Sequence, residues 1–284
     1  MFKLDNLSIV ITTLGTNDLV NLIECIYKDL DVNSDFEILI TIPKDKKISF
    51  SPHQYKNLKI ISTYFPGQVN QRTLGFKSTS KDYVLQIDDD VEISSENIFN
   101  LIQKLNNLDI NSAISPVFFN KYNKNKCIYE LKNSNLILLL KNILTYIICK
   151  SKWGIKRSGT LTILGTNYGV DYNSFNNKKI MEVDWLPGGC ILHNKSNLHT
   201  YDYYPFKGKA YCEDLIHSSI LKKHNIKLYV YKDAICYTDL PLFPNDRSEK
   251  IKFLRAYNYY YFKFLKFNYR YFFWSAVNIF RILI

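Results

Sequence analysis

The chain has 284 residues, of which 46% are hydrophobic, enough to bury the core of one large domain or of one domain with an appendage. No apolar run approaches the roughly 20 residues that a membrane-spanning helix needs, and the N-terminus lacks the cleavage pattern of a signal peptide. The six cysteines are scattered without CxxC or Cys/His spacing, which fits reduced thiols in the cytoplasm better than a zinc site or a disulfide framework. The formal charge of +11 is uneven, because residues 250–284 hold seven basic residues and no acidic one.

Strands and helices alternate along the first half of the chain. Apolar, β-branched runs predict strands, and apolar residues at three- and four-residue spacing predict helices. The predicted strands cover residues 7–13, 36–42, 58–62, 83–87 and 113–117. Helices are predicted after the first, third and fourth of these strands. Such alternation is typical of a mostly parallel sheet with helices on both faces, so we predict an α/β fold.

Three consecutive carboxylates, Asp88, Asp89 and Asp90, follow the fourth strand. Carboxylates this close repel one another, and a bound cation relieves the repulsion. The alternate pair Asp88 and Asp90 offers the oxygen ligands that Mg²⁺ or Mn²⁺ requires, at a strand end where open α/β sheets bind ligands. The alternative is a solvated acidic turn.

Three motifs in sequence order resemble family 2 glycosyltransferases, and the resemblance covers residues 7–240. The motifs are the acidic triplet, the glycine loop at residues 185–190 (WLPGGC) and the pair Glu213-Asp214, with Gln71, Arg72 and Gly75 on an earlier helix. The family has the GT-A fold, so the resemblance implies a GT-A domain over residues 1–245. The nucleotide-sugar-binding half would be residues 1–117, and the acceptor half residues 118–245. The type it resembles is inverting and acts in bacterial polysaccharide or glycolipid synthesis.

The resemblance implies that the donor binds beside the acidic triplet. Asp88 and Asp90 would hold a divalent Mn²⁺ or Mg²⁺ ion, which neutralises the charge that develops on the leaving diphosphate. The donor is expected to be a UDP- or dTDP-sugar. Asp45 is the carboxylate that follows the second strand. Arg72 would contact the diphosphate, and its alternative role is a solvated charge on the helix surface. The residues expected to contact the donor are Thr12, Thr13, Asp45, Arg72, Asp88 and Asp89.

The Glu-Asp pair is expected to carry the acid–base chemistry. An acceptor hydroxyl has a pKa far above neutrality, so a positioned carboxylate base assists its attack. Asp214 is the predicted base, with Glu213 orienting the acceptor or the backbone, and direct displacement would invert the anomeric configuration. The alternative is a pair of helix N-terminal carboxylates stabilised by the helix dipole, which we also expect to keep Asp214 ionised.

Residues 246–284 are predicted to form a helical appendage rich in aromatic and basic residues. Fourteen of the residues 250–284 are aromatic, and Lys263, Lys266 and Arg270 are interleaved with them. This composition favours a membrane–water interface, so we expect peripheral attachment to the anionic inner face of the cell membrane. Packing into the core is an alternative. Base stacking in nucleic acid would use the same residues, but no nucleic-acid partner is expected.

The acceptor is expected to be a glycan or a lipid-linked molecule used in surface polysaccharide synthesis. Residues 153–177, rich in Gly, Ser and Asn, are predicted to form a loop near it. Two other functions are considered. One is a non-catalytic, membrane-surface sugar-binding protein on the same fold. The other is a metal-dependent phosphatase of the haloacid dehalogenase type, which fits poorly because Glu92 stands where that group has Thr or Val.

Overall fold

The computed structural model describes residues 1–15, 18–130, 136–239 and 246–283. In these residues one sheet contains eight strands, namely β1 (Leu7–Thr12), β2 (Phe36–Pro43), β3 (Leu58–Thr63), β4 (Tyr83–Asp88), β5 (Ser112–Asn120), β6 (Ile180–Glu182), β7 (Cys190–Asn194) and β8 (Lys227–Thr238). The α-helices in the same residues are α1 (Asp18–Tyr27), α2 (Gln68–Ser78), α3 (Ser95–Asn106), α4 (Leu136–Cys149), α5 (Glu213–Lys223), α6 (Arg247–Phe264) and α7 (Arg270–Leu283).

The strand order in the sheet is β3-β2-β1-β4-β7-β5-β8-β6. The predicted alternation in the first half is confirmed, with strand ends that differ from prediction by at most three residues. The first four strands are parallel to one another, as are β5 and β8. β7 is antiparallel to its neighbours β4 and β5, and β6 is antiparallel to β8. The alternation of strands and helices did not predict these antiparallel strands. The crossover through α3 leaves one strand position open between β4 and β5, and β7 fills it from later in the chain.

Helices cover both faces of the first half of the sheet, because successive side chains of a strand point to opposite faces. On one face Ile9 and Ile11 of β1 join a core with α1 and α3. On the other face Val10 packs with Phe76 of α2. A Cβ added at Gly75 would lie 2.4 Å from Cγ1 of Val10, so this glycine lets α2 approach β1. Each buried aliphatic side chain contributes about 1.5–3 kcal/mol, and this two-sided core holds β4 near the middle of the sheet.

The C-terminal helices α6 and α7 pack on the rest of the molecule through an aromatic face. Tyr260 and Tyr261 are fully buried. Tyr261 stacks on Tyr271 of α7, with 3.9 Å between ring centroids. Core packing, the alternative considered for the tail, therefore describes this face. The boundary predicted at residue 245 falls within residues 240–245, which lie outside the described residues.

The lengths of these helices and the state of the cysteines bear on the expectations for membrane spans and disulfides. Within the ranges that the structure describes, no helix combines the length and apolar character needed to cross a bilayer. All six cysteines are free thiols.

Candidate active site

The acidic triplet lies at the end of β4. Because β1 and β4 are parallel with Thr12 opposite Asp88, the hydroxyl of Thr12 donates to Oδ1 of Asp88 at 3.3 Å. The hydroxyl of Thr13 donates to Oδ2 of Asp89 at 2.5 Å. Both threonines are buried. Their hydroxyls therefore orient the carboxylates of Asp88 and Asp89 from the buried side of the site.

Arg72 is a buried cation that links the two carboxylate motifs. Its side chain is 1% exposed, so a solvated helix charge does not describe it. Its Nη2 donates to Oδ1 of Asp88 at 3.0 Å, and its Nη1 donates to Oε1 of Glu213 at 2.6 Å. Burial opposes the charged form, but the carboxylates of Glu213 and Asp88 raise the pKa of the guanidinium above its ordinary value. Arg72 therefore stays charged and holds the two motifs together.

The Glu-Asp pair opens α5, and its two carboxylates point into different surroundings. Glu213 is buried, and its Oε1 also accepts a hydrogen bond from the hydroxyl of Tyr203 at 2.5 Å. Asp214 lines the same pocket as Glu213 but makes no contact with Arg72 or Tyr203 that would neutralise it. Burial and the charge of Glu213 raise the pKa of Asp214 to about 7. The helix dipole therefore does not hold the pKa of Asp214 at its ordinary value, although the backbone N–H of Leu215 donates to its Oδ1 at 2.9 Å.

The glycine loop at residues 185–190 joins the triplet to the Glu-Asp pair. The carbonyl of Gly189 accepts from the backbone N–H of Asp88 at 2.9 Å. The carbonyl of Gly188 accepts from Nε2 of Gln86 at 2.6 Å. A Cβ added at Gly188 would lie 2.8 Å from Oε2 of Glu213. A side chain at this position would push the two motifs apart, so glycine is required by close approach.

Asp90 carries negative charge that suits a divalent cation. Its side chain lines the pocket. Desolvation of the carboxylate there, with the charges of Asp88 and Asp89, raises the pKa of Asp90 to about 6. A cation bound between Asp90 and Asp88 would relieve that repulsion.

The described residues contain no group of three or more His, Cys, Asp or Glu side chains arranged to bind a metal. Magnesium-type sites commonly use one or two protein carboxylates and take their other ligands from water and substrate phosphates. Asp88 and Asp90, two carboxylates that line one pocket, fit that pattern. The residues present are therefore compatible with a metal that binds together with its substrate.

One pocket of about 710 Å³ unites the three motifs. It is lined by Asp88 and Asp90 from the triplet, Gly188 from the glycine loop, and Glu213 and Asp214 from α5. These positions are more than a hundred residues apart in sequence at the extremes. The fold thus places two potential metal ligands and a carboxylate with a near-neutral pKa in the same pocket.

Several predicted donor residues do not line this pocket. Thr12, Thr13, Arg72 and Asp89 lie around the triplet without contributing to the pocket lining. Asp45 is exposed in the turn that follows β2 and does not belong to the lining either. The structure therefore brings the triplet, Thr12, Thr13 and Arg72 together through hydrogen bonds, and a donor contact by Asp45 stays a prediction.

Other residues at the site belong to none of the three motifs. Gln68 donates from Nε2 to both carboxylate oxygens of Asp88, at 3.2 and 3.0 Å. It is the first residue of α2, so its position beside a strand end was a usable signal. Phe253, Tyr257 and Trp274 line the pocket from α6 and α7. Their aromatic character was visible, but it was assigned to a membrane surface as a whole.

No protein-family model and no curated protein matches the chain. Solved structures similar to it include GalNAc-T7 with UDP, GalNAc and Mn²⁺, at a TM-score of 0.55 and 11% identity over 83% of this chain and 43% of that one. Another is the mannosyltransferase PcManGT from Pyrobaculum calidifontis with GDP-Man and Mn²⁺. Its TM-score is 0.55, with 12% identity over 96% of this chain and 69% of that one. A third is S. aureus TarS 1-349, with a TM-score of 0.52 and 15% identity over 89% of this chain and 64% of that one.

These likenesses show the fold. The chain spans 43% of the GalNAc-T7 chain and 64% of the TarS chain. Its mixed, mostly parallel sheet with flanking helices is the GT-A fold that we predicted.

Proposed function

We propose that this protein is a metal-dependent glycosyltransferase, which moves a sugar from a nucleotide-sugar donor to a hydroxyl of a glycan or lipid-linked acceptor. One observation carries the proposal: a single pocket holds Asp88 and Asp90 together with Asp214. Two proteins of similar fold contain Mn²⁺ with UDP or GDP-Man, which supports the assignment of donor and metal. The finer assignment is an inverting, family 2 enzyme of surface polysaccharide synthesis that uses a UDP- or dTDP-sugar.

On the donor side, the chain provides negative charge to hold a cation and positive charge to hold the site together. Asp90 and Oδ2 of Asp88 would bind the divalent ion, which when bound offsets charge on the leaving diphosphate. Arg72 is already paired with Asp88 and Glu213. We therefore assign Arg72 to positioning Asp88 rather than to direct contact with the diphosphate. Thr12 and Gln68 orient the same carboxylate.

On the acceptor side, Asp214 is placed to take the proton from the attacking hydroxyl. A general base works best when its pKa lies near the working pH, and the pKa of Asp214 is about 7. Glu213 is committed to Arg72 and Tyr203, so it supports the helix end instead of contacting the acceptor. Attack on the face of the sugar away from the diphosphate inverts the anomeric configuration.

A donor screen tests the proposal. The full chain is mixed with Mn²⁺ and, one at a time, with UDP-, dTDP- and GDP-sugars, and its melting temperature and the release of free nucleotide are measured. We expect one UDP- or dTDP-sugar to stabilise the fold by about 2.7 kcal/mol at 100 times its Kd, since it binds the native state alone. The stabilisation should require the metal, and nucleotide should be released.

Two outcomes would contradict this assignment. Absence of any metal-dependent stabilisation across the panel would remove the nucleotide-sugar donor. Binding without transfer to any acceptor and without hydrolysis would favour the non-catalytic sugar-binding protein.

We further propose that the protein attaches peripherally to the inner, anionic face of the cell membrane through its tail surface. The tail surface comprises the exposed aromatic residues Phe262, Phe267, Tyr269, Phe272 and Phe273 with the basic residues Lys263, Lys266 and Arg270. Its aromatic side chains are 61–65% exposed. Exposed rings beside lysines and no acidic residue in 250–284 complement anionic lipid headgroups.

Vesicle binding tests the tail surface. Exchanging Lys263 and Lys266 for glutamine is expected to weaken binding to anionic vesicles by up to about thirtyfold, because each basic residue contributes about 1 kcal/mol near such a surface. Arg270 is left in place because its guanidinium donates to the carbonyl of Ile147. The matched control is the double exchange of the exposed Lys56 and Lys77 for glutamine, which removes the same charge.

Binding is measured by co-sedimentation with phosphatidylglycerol-containing and with pure phosphatidylcholine vesicles at two salt concentrations. High salt should release only part of the bound protein, since burial of the rings is not screened. Equal binding of wild type and the double variant to both vesicle types would contradict the proposal.

A further inference from the structure

The pocket has a second part that the proposed chemistry does not use. Tyr211 precedes α5, Phe253 and Tyr257 belong to α6, and Trp274 belongs to α7, and all four line the pocket that contains Asp214. We call these four residues the aromatic wall. Three of its members come from helices beyond the sheet, so the pocket is complete only when α6 and α7 are docked.

The rings of the aromatic wall are held in defined positions. Phe253 and Tyr257 are stacked with 6.3 Å between centroids and 17° between planes. Tyr211 meets Phe253 edge-on at 5.9 Å. The hydroxyl of Tyr211 donates to Oε2 of Glu249 at 2.6 Å, and that of Tyr257 donates to the carbonyl of Leu164. The hydroxyls are thus tied to protein groups, which fixes the orientation of the rings.

The aromatic wall is not fully withdrawn into the core. Tyr211, Phe253 and Trp274 are each partly exposed, and each contributes to the pocket lining. Polar residues share the lining close by in sequence or in the fold, namely Thr166, Asn167, Lys209 and Asp239. The pocket therefore offers apolar ring surface together with hydrogen-bonding groups of both kinds.

A pyranose ring matches this combination. Its C–H groups form an apolar face that packs on the negative face of an aromatic ring, while its hydroxyls require donors and acceptors around the rim. A purely apolar chain would leave the polar lining residues unpaired, which is costly in a partly buried site.

We propose that the aromatic wall is an acceptor subsite that binds the pyranose ring of a glycan. This inference rests on the proposed function, because a ring held here presents its hydroxyls in the pocket that contains Asp214. It also assigns a role to the inward face of the tail that is separate from the outward tail surface. The acceptor is then recognised as a sugar, through residues of α6 and α7.

The test measures sugar binding directly, without donor or turnover. Saturation-transfer NMR is recorded on the full chain with the methyl β-D-pyranosides of glucose, galactose and N-acetylglucosamine. Sorbitol, an acyclic polyol, is the control ligand. We expect at least one pyranoside to receive saturation, most strongly at the C–H protons of one ring face, and sorbitol to receive little.

The matched variants locate the binding. Phe253→Ala and Trp274→Ala are each expected to weaken the pyranoside affinity by about three- to tenfold, the range of one aromatic contact. Phe253→Tyr keeps the ring and should retain binding. Ile251→Ala, on the exposed face of the same helix, should bind as wild type.

The inference is overturned if no pyranoside exceeds sorbitol, or if Phe253→Ala and Trp274→Ala, with unchanged melting temperatures, bind as wild type. The donor screen is independent of this measurement. Pyranoside binding that depends on the aromatic wall, together with no nucleotide-sugar binding, would uphold the subsite and reject the proposed transferase.

Discussion

Exchanging Asp90 for asparagine is expected to lower sugar transfer by about a hundredfold or more and to weaken Mn²⁺ binding measured with UDP present. The amide keeps the shape of the side chain but removes the charge that a hard divalent ion requires. Because burial and the charges of Asp88 and Asp89 raise the pKa of Asp90 to about 6, protons should compete with the metal as the pH falls through 6. The Mn²⁺ affinity of the wild type should therefore fall below that pH.

Asp88→Asn is expected to show the same loss of transfer together with a lower melting temperature. Its Oδ1 accepts from Arg72, so the variant leaves a buried guanidinium with one carboxylate partner fewer. Asp90→Asn removes no such pair and should melt close to wild type. Asp109→Asn, an identical chemical change at an exposed position, is the control. Full transfer by both triplet variants in the presence of a chelator would show that the reaction needs no metal at the triplet.

Asp214→Asn is expected to bind donor and metal as wild type but to lose about two to four orders of magnitude in transfer rate. The amide cannot accept the proton from the acceptor hydroxyl, and positioned bases contribute rate enhancements of about that size. The measurement is the single-turnover transfer rate, beside donor affinity from titration. Normal turnover by purified Asp214→Asn would move the base elsewhere, with Glu213 the next residue to examine.

The pH profile gives a second measure of the same residue. The base acts in its ionised form, and the pKa of Asp214 is about 7. Transfer by wild type should therefore rise with pH through about 7, and this limb should be absent from the residual activity of Asp214→Asn. A wild-type rate that stays constant between pH 6 and 8 at saturating metal would contradict this role of Asp214.

Stability separates Asp214 from Glu213. The folded-state pKa of Asp214 lies above its ordinary value of 3.8, so its ionised form is disfavoured by the fold at pH 8. Asp214→Asn should then melt at or above the wild-type temperature. Glu213→Gln should melt lower, because it removes a carboxylate partner from buried Arg72 at 2.6 Å. The two neighbouring carboxylates thus have opposite predicted effects on stability.

Features that depend on near neighbours in the chain could be predicted from the amino-acid sequence. Strand and helix positions follow from spacings of two, three and four residues, so β1 to β5 were predicted to within three residues. The triplet and the Glu-Asp pair were visible as consecutive carboxylates. Their order along the chain carried the family resemblance that implied the GT-A fold.

The histidines show what a sequence leaves open. His217 is the one histidine within α5. His193 of β7 lies beside it in the structure, with 5.6 Å between the two ring centroids and both rings buried. Burial lowers the pKa of His217 to about 3. The surroundings and the charge state of this side chain therefore depend on elements other than α5.

The partners and protonation of the site residues depend on contacts between elements that are distant in the chain. Arg72 pairs with Glu213 across 141 sequence positions, and no local pattern encodes that contact. The exclusion of Asp45 from the pocket and the division of the tail into an inward wall and an outward surface depend on how distant elements pack. The pKa of Asp214 near 7 likewise reflects burial beside Glu213, because desolvation depends on every atom that replaces water around a carboxylate.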